Sequence, residues 1–179
     1  MRDIPAGEEL TISYIYGQAV QSERQSQLSA WGFACSCTQC TLPPREAAAS
    51  ETRIRQIKAL EDEIEAKMTA RDNKDGEEVR AEMGGKLVEM YLEERLDAYL
   101  GPTYTRAALI YSMFGHEEKA REYAGEAVKA LEREYGDAAA DGESMRLLRE
   151  DPMGHWSWGL KVVSGSGEGA RNGSEGVGK

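Results

Sequence analysis

Cysteine is scarce in this chain, three in 179 residues, and an odd count of three cannot build the closed disulfide framework that staples small secreted domains. A reducing compartment is the expectation. Positive charge is short as well: 22 Lys and Arg against 32 Asp and Glu leave a formal charge of -10. Phosphate contacts are made by Lys and Arg, so direct nucleic-acid binding is not expected, and a basic protein tail or peptide suits the acidic surface better. Long apolar runs are lacking, with nothing near the ~18 residues of a membrane-spanning helix. The start, Met1 to Glu9, has no apolar stretch of the kind a secretory leader carries. No membrane association is expected, and the location is expected to be cytoplasmic, nuclear or both. At this length the chain can bury one ordinary core, or two small ones, without disulfides.

The few cysteines are gathered in one place. Trp31-Gly-Phe-Ala-Cys-Ser-Cys-Thr-Gln-Cys40 holds Cys35, Cys37 and Cys40, a C-x-C-x2-C cluster whose thiolates suit Zn2+, a tetrahedral ion that takes four ligands. Three are present here, and His116 and His155 lie too far downstream to complete a short-spacing knuckle. The alternative is a small local core of buried cysteines.

The chain divides at Pro43-Pro44. Before it, Leu10 to Tyr16 is rich in β-branched and aromatic residues and follows a Pro5-Ala-Gly7 turn signal, so a short strand is expected. Glu23 to Leu28 is expected as a turn of helix leading into the cysteine loop, and Glu8 and Glu9 as turn residues. After the prolines the pattern is helical. Ile54, Ile57, Leu60, Ile64 and Met68 share one face of a helix starting near Arg45. An Asp75/Glu78 capping box opens the next helix, whose stripe runs through Val79, Met83, Leu87 and Met90 to Leu92, Leu96 and Leu100. Gly84-Gly85 either lets a neighbour approach or kinks it. Gly101-Pro102 closes it, and a further helix is expected from Thr103 to Gly115.

From His116 to Tyr135 another helix follows with Gly136 as its cap, so these two must form an antiparallel hairpin. Tyr104, Ala107, Ala108 and Tyr111 are expected to face Ala120, Ala124, Ala127 and Leu131. This pattern resembles one tetratricopeptide unit, for which the flanking helices would serve as neighbours in the stack; a generic helical bundle remains the alternative. A short helix from an Asp141 cap, Ser144 to Glu150, comes next. Met153, Trp156 and Trp158 are expected to dock the chain end, and residues 164–179 are expected to be disordered. The fold class is mostly α, with a small β or irregular unit at 1–42 and an antiparallel helical array at 44–160.

Gly7-Glu-Glu-Leu-Thr-Ile-Ser-Tyr14, with Arg24, Leu28 and Trp31 to Cys40, resembles the end of a SET domain and its post-SET cysteine loop. The helical remainder is similar to the C-terminal region of the SET and MYND-type protein-lysine methyltransferases. The resemblance implies methyl transfer from S-adenosylmethionine to a lysine of a protein substrate. It implies that Tyr14 lies beside the methyl-transfer channel as the catalytic residue, and that Phe33 contacts the cofactor. Cys35, Cys37 and Cys40 would be ligands of a structural zinc. The family's glycine-rich cofactor segment, its Asn-His-Ser-Cys-type segment with the fourth zinc cysteine, and its MYND finger are not in these residues. The chain is therefore expected to be the C-terminal portion of such an enzyme, inactive alone and poor at holding S-adenosylmethionine or zinc. The alternative function is a non-catalytic helical-repeat module that binds a protein or peptide.

Overall fold

A computed structural model describes residues 5–8, 13–69, 80–136 and 139–161. Among them the chain is mostly helical and contains no strand. The helices are α1 (Gln21–Ser29), α2 (Pro44–Thr69), α3 (Ala81–Glu93), α4 (Leu100–Met113), α5 (Glu117–Tyr135) and α6 (Gly142–Glu150), with a 3-10 turn at Asp97–Tyr99. Of the expected strand, residues 10–12 lie outside the described part, and Ser13 to Tyr16 is irregular with a bend at Tyr14 and Ile15; among the described residues there is no strand for it to pair with. Glu9, the Asp75/Glu78 capping box, Val79 and the glycine-rich end at 164–179 also lie outside it. Glu8 sits in the expected turn, its N–H donating to the Pro5 carbonyl at 3.1 Å.

Helix α2 starts on Pro44, where a missing N–H costs nothing because first-turn donors have no intrahelical partner. Its apolar face buries Ile54, Ile57, Leu60 and Ile64, while Met68 stays exposed. Those four pack with Met83, Leu87 and Tyr91 of α3, Ile110 of α4 and Val20 just before α1. Burial of a side chain such as Leu87 or Ile110 contributes about 1.5–3 kcal/mol.

Helix α3 runs unbroken through its glycine pair. A Cβ on Gly84 would lie 3.0 Å from the Ala107 Cα, so the absent side chain lets α3 and α4 touch backbone to backbone. Ala107 thus turns toward α3, and Ala108, Ala120, Ala124, Ala127 and Leu131 build the α4–α5 contact with Val128, Met145 and Leu148. Helices α3, α4, α5 and α6 each pack on the next in sequence, the neighbour-on-neighbour order of a helical array.

Helix α3 stops at Glu93, earlier than the leucine stripe implied, and Leu92 is exposed. Arg95 adopts φ 59°. Its N–H donates to the Leu92 carbonyl and that of Leu96 to the Tyr91 carbonyl, at 3.1 and 3.0 Å, which is a Schellman ending with arginine where glycine is usual. Helix α4 ends the same way: Gly115 (φ 73°) donates to the Ser112 carbonyl and His116 to the Tyr111 carbonyl, at 3.0 and 2.9 Å. Gly101-Pro102 lies inside the first turn of α4 instead of ahead of it, since proline there forfeits no hydrogen bond.

The chain end docks by different residues from those expected. Trp156 and Met153 are exposed, whereas Pro152, His155 and Ser157 are buried and Trp158 is half-buried.

Candidate functional site

Helix α1 and the loop after it form one unit. Gln21, Arg24 and Gln25, spaced three and four apart, lie on the same helical face. The Gln25 amide brackets the backbone of Cys35, accepting from its N–H at 3.2 Å and donating to its carbonyl at 3.0 Å. Gln21 Nε2 donates to the Cys40 carbonyl at 2.6 Å. Arg24 is buried; its Nη1 donates to the Ala19 carbonyl at 2.5 Å and its Nη2 lies 4.0 Å from Cys40 Sγ. Between the outer cysteines the Cys37 carbonyl accepts from the N–H groups of Cys40 and Thr41 at 2.9 and 3.0 Å. Cys37 N–H donates to Cys35 Sγ at 3.5 Å.

This folding brings the Sγ atoms of Cys35, Cys37 and Cys40 within 4.8 Å of one another. Cys35 and Cys40 are half-buried and Cys37 is exposed. Three sulfurs at about 2.3 Å from a tetrahedral zinc stand about 3.8 Å apart, so the donor set fits a three-thiolate cradle after a small contraction. No histidine or carboxylate joins the cluster among the described residues. Burial pushes the Cys37 thiol up, but hydrogen bonds from the Cys40 backbone and from the Cys35 and Cys40 thiols outweigh it and bring it below its ordinary value. Cys40 moves the other way: burial raises it, the Arg24 guanidinium offsets part of that, and Cys37 and Cys35 add to the rise.

The segments that flank α1 also bring three aromatic rings together. Tyr14 lies 5.3 Å from Trp31 and, edge to face, 6.1 Å from Phe33. Their exposures are 54%, 62% and 44%. The expected catalytic and cofactor residues, Tyr14 ahead of α1 in the chain and Phe33 after it, are thus brought together. The contact of Trp31 with Tyr14 and the glutamine clamp were not read from the sequence, although the spacing of Gln21, Arg24 and Gln25 could have shown a shared polar face.

This unit is fastened to the helical array at its entry. Gly17 N–H donates to Tyr99 Oη at 2.9 Å, and Gln18 Nε2 donates to Tyr91 Oη at 2.5 Å. Tyr91 in turn donates to Glu61 Oε1 at 2.7 Å; burial first, then that carboxylate, hold its phenol well above the ordinary range.

A second polar cluster sits at the far end. His155 Nε2 is 3.1 Å from Ser144 Oγ and Nδ1 is 2.7 Å from Ser157 Oγ, which lies 2.8 Å from Ser112 Oγ. It has the outline of a nucleophile and its base. The same contacts, with the Ser157 N–H 3.3 Å from Nδ1, tie the C-terminal segment to α6 through Ser144 and to α4 through Ser112. The chain is a structural lock on the C-terminal segment.

Comparison with known proteins finds one kind of likeness. Over 40 residues the chain is 52% identical to histone-lysine N-methyltransferase SET5 of Meyerozyma guilliermondii, a match covering 22% of this chain and 8% of that protein. This is a short, partial similarity to a SET-domain methyltransferase, and the chain spans only a small part of that relative's length. No family model matches, and no solved structure matches.

Proposed function

We propose that this chain supplies the closing C-terminal part of a SET-type protein-lysine N-methyltransferase that uses S-adenosylmethionine, and that it is inactive alone. The observation that carries the reading is that residues 14–40 both gather the rings of Tyr14, Trp31 and Phe33 and draw three cysteine sulfurs together, in a chain that shares a 40-residue similarity with a histone-lysine methyltransferase. In this reading the loop 1–42 is the end of the SET domain with its post-SET segment, and 44–160 is a tetratricopeptide-like region of the SET and MYND type. Tyr14 orients the lysine amine by its hydroxyl and favours the charge that develops on it. Phe33 packs on the cofactor, and Cys35, Cys37 and Cys40 hold a zinc that fixes the loop. The substrate is a lysine-bearing protein, for which the net charge of -10 is favourable, and the setting is nuclear or cytoplasmic.

The remaining cofactor-binding walls would come from polypeptide N-terminal to this chain. The test is to assay residues 1–179, and the same chain extended by the coding segment upstream of Met1, for transfer of labelled methyl from S-adenosylmethionine to basic peptides. Turnover by the extended protein and none by the chain alone is the expected result. An in-frame stop directly upstream, or turnover by residues 1–179 alone, would sink the closing-part reading. A non-catalytic interaction module is the reading left if the extended protein folds but neither binds the cofactor nor transfers methyl.

A further inference from the structure

The cysteine loop meets the helical array at one buried carboxylate. Glu94 caps α3 with its side chain 2% exposed. Its position is unfavourable by itself, because a carboxylate at a helix C-terminus faces the negative end of the helix dipole and a buried charge is costly unless paired and hydrogen-bonded. Three donors meet that need. Arg53 Nε donates to Oε2 at 2.7 Å, the Ser50 hydroxyl donates to Oε1, and Gln39 Nε2 donates to the same Oε1 at 2.7 Å. Gln39 Nε2 also donates to Ser50 Oγ at 2.8 Å, so both amide protons and the serine proton are used in one closed ring. Two of the donors belong to α2. The third belongs to the cysteine loop, between Cys37 and Cys40.

We infer that Glu94 is a positioning residue for the three-thiolate site: through Gln39 it fixes the turn between Cys37 and Cys40 and couples the helical array to the loop. The inference rests on the metal-loop reading above for its zinc consequence and on geometry alone for the coupling. Helix α1 restrains Cys35 and the Cys40 carbonyl through Gln25 and Gln21; Glu94 restrains the turn between them through Gln39. The coupling is reciprocal. A metal that holds the loop closed holds Gln39 against Glu94, so it must also raise the melting temperature of the helices.

The test uses the full chain as wild type, Glu94→Gln and Gln39→Leu. The second variant leaves Glu94 with Arg53 and Ser50, so it cuts the tie and spares the array. In metal-free protein, the three thiols of both variants are expected to react several-fold faster than wild type with an aromatic disulfide reagent, at unchanged helical circular dichroism for Gln39→Leu. In competition with a chromophoric chelator, zinc affinity is expected to fall about tenfold, at the low end of what second-shell changes cost. Wild-type thiol rates in Gln39→Leu would overturn the inference, as would faster rates accompanied by loss of helix signal. A wild type that takes up no zinc removes the metal reading alone, because the thiol rates still decide the coupling.

Discussion

At the scale of single residues, Arg95 and Cys37 show where local conformation and chemistry are under tension. Arg95 holds φ 59°, a conformation that costs an L-residue about 1–2 kcal/mol, and the Schellman bonds of Leu96 and Arg95 keep it there. Glycine would remove the strain and return part of the gain as lost freedom on folding. Arg95→Gly is expected to stabilise the protein by about 0.5–1 kcal/mol, read as a rise in urea midpoint at constant m. At the cysteines, three sulfurs within 4.8 Å and no fourth side chain among the described residues leave one zinc position to water or to an outside ligand. Metal analysis of residues 1–179 after dialysis against chelator is expected to find well under one zinc per chain. One tightly retained zinc would mean that a fourth ligand is present here.

At the scale of elements, the same substitution should have opposite signs in two helices. Gly84→Ala gains helix propensity, about 1 kcal/mol, but its Cβ would stand 3.0 Å from the Ala107 Cα, and backbone yields less easily than a side-chain tip. Overpacking wins, with a net loss of about 1 kcal/mol. In α5 a Cβ on Gly125 would meet only Arg149 Cδ, at 3.6 Å, so Gly125→Ala is expected to gain about 0.5–1 kcal/mol. Thermal melts of the two variants compare them directly.

These contrasts also mark what could be read in the sequence. The α4–α5 hairpin was legible because Gly115 has the residue type its φ requires and because Ala108, Ala120, Ala124 and Ala127 recur at helical spacing. The α3 end was not, because arginine carries no signal for a left-handed position, and Leu92, Leu96 and Leu100 mimic one continuous stripe. The thiol cluster was legible from cysteine spacing, while its clamp was not: Gln21, Gln25 and Gln39 are ordinary surface residue types until the fold aims them at backbone and at Glu94. The chain end misled for a related reason, since large apolar side chains attract attention and the small polar Ser112, Ser144 and Ser157 make the actual lock on His155.

At the scale of the whole molecule, two polar locks hold the extremities to the array. One is the His155 cluster, where burial lowers the imidazole below its ordinary value. The unfolded chain then binds the proton more readily than the folded one, so this lock contributes fully above about pH 6.5 and is lost as pH falls through the lower folded value. Stability is expected to decline between pH 7.5 and 5.5 by no more than about 1.4 kcal/mol per pH unit, and His155→Gln should flatten that slope; an unchanged slope would assign it elsewhere. The other lock runs through Val20, Gly17, Gln18 and Gln39 to α2, α3 and Tyr99, which makes the aromatic and cysteine unit part of the same packed body as the helices. On the reading advanced here that body is one wall of a methyl-transfer site, and Tyr14 is its reacting edge. The most direct measurement is methyl transfer by the upstream-extended protein carrying Tyr14→Phe, with turnover and S-adenosylmethionine affinity determined separately. Loss of the hydroxyl is expected to lower kcat by about 100-fold or more, as misplacement of the amine does, and to change cofactor affinity little. Wild-type turnover in that variant would contradict the account.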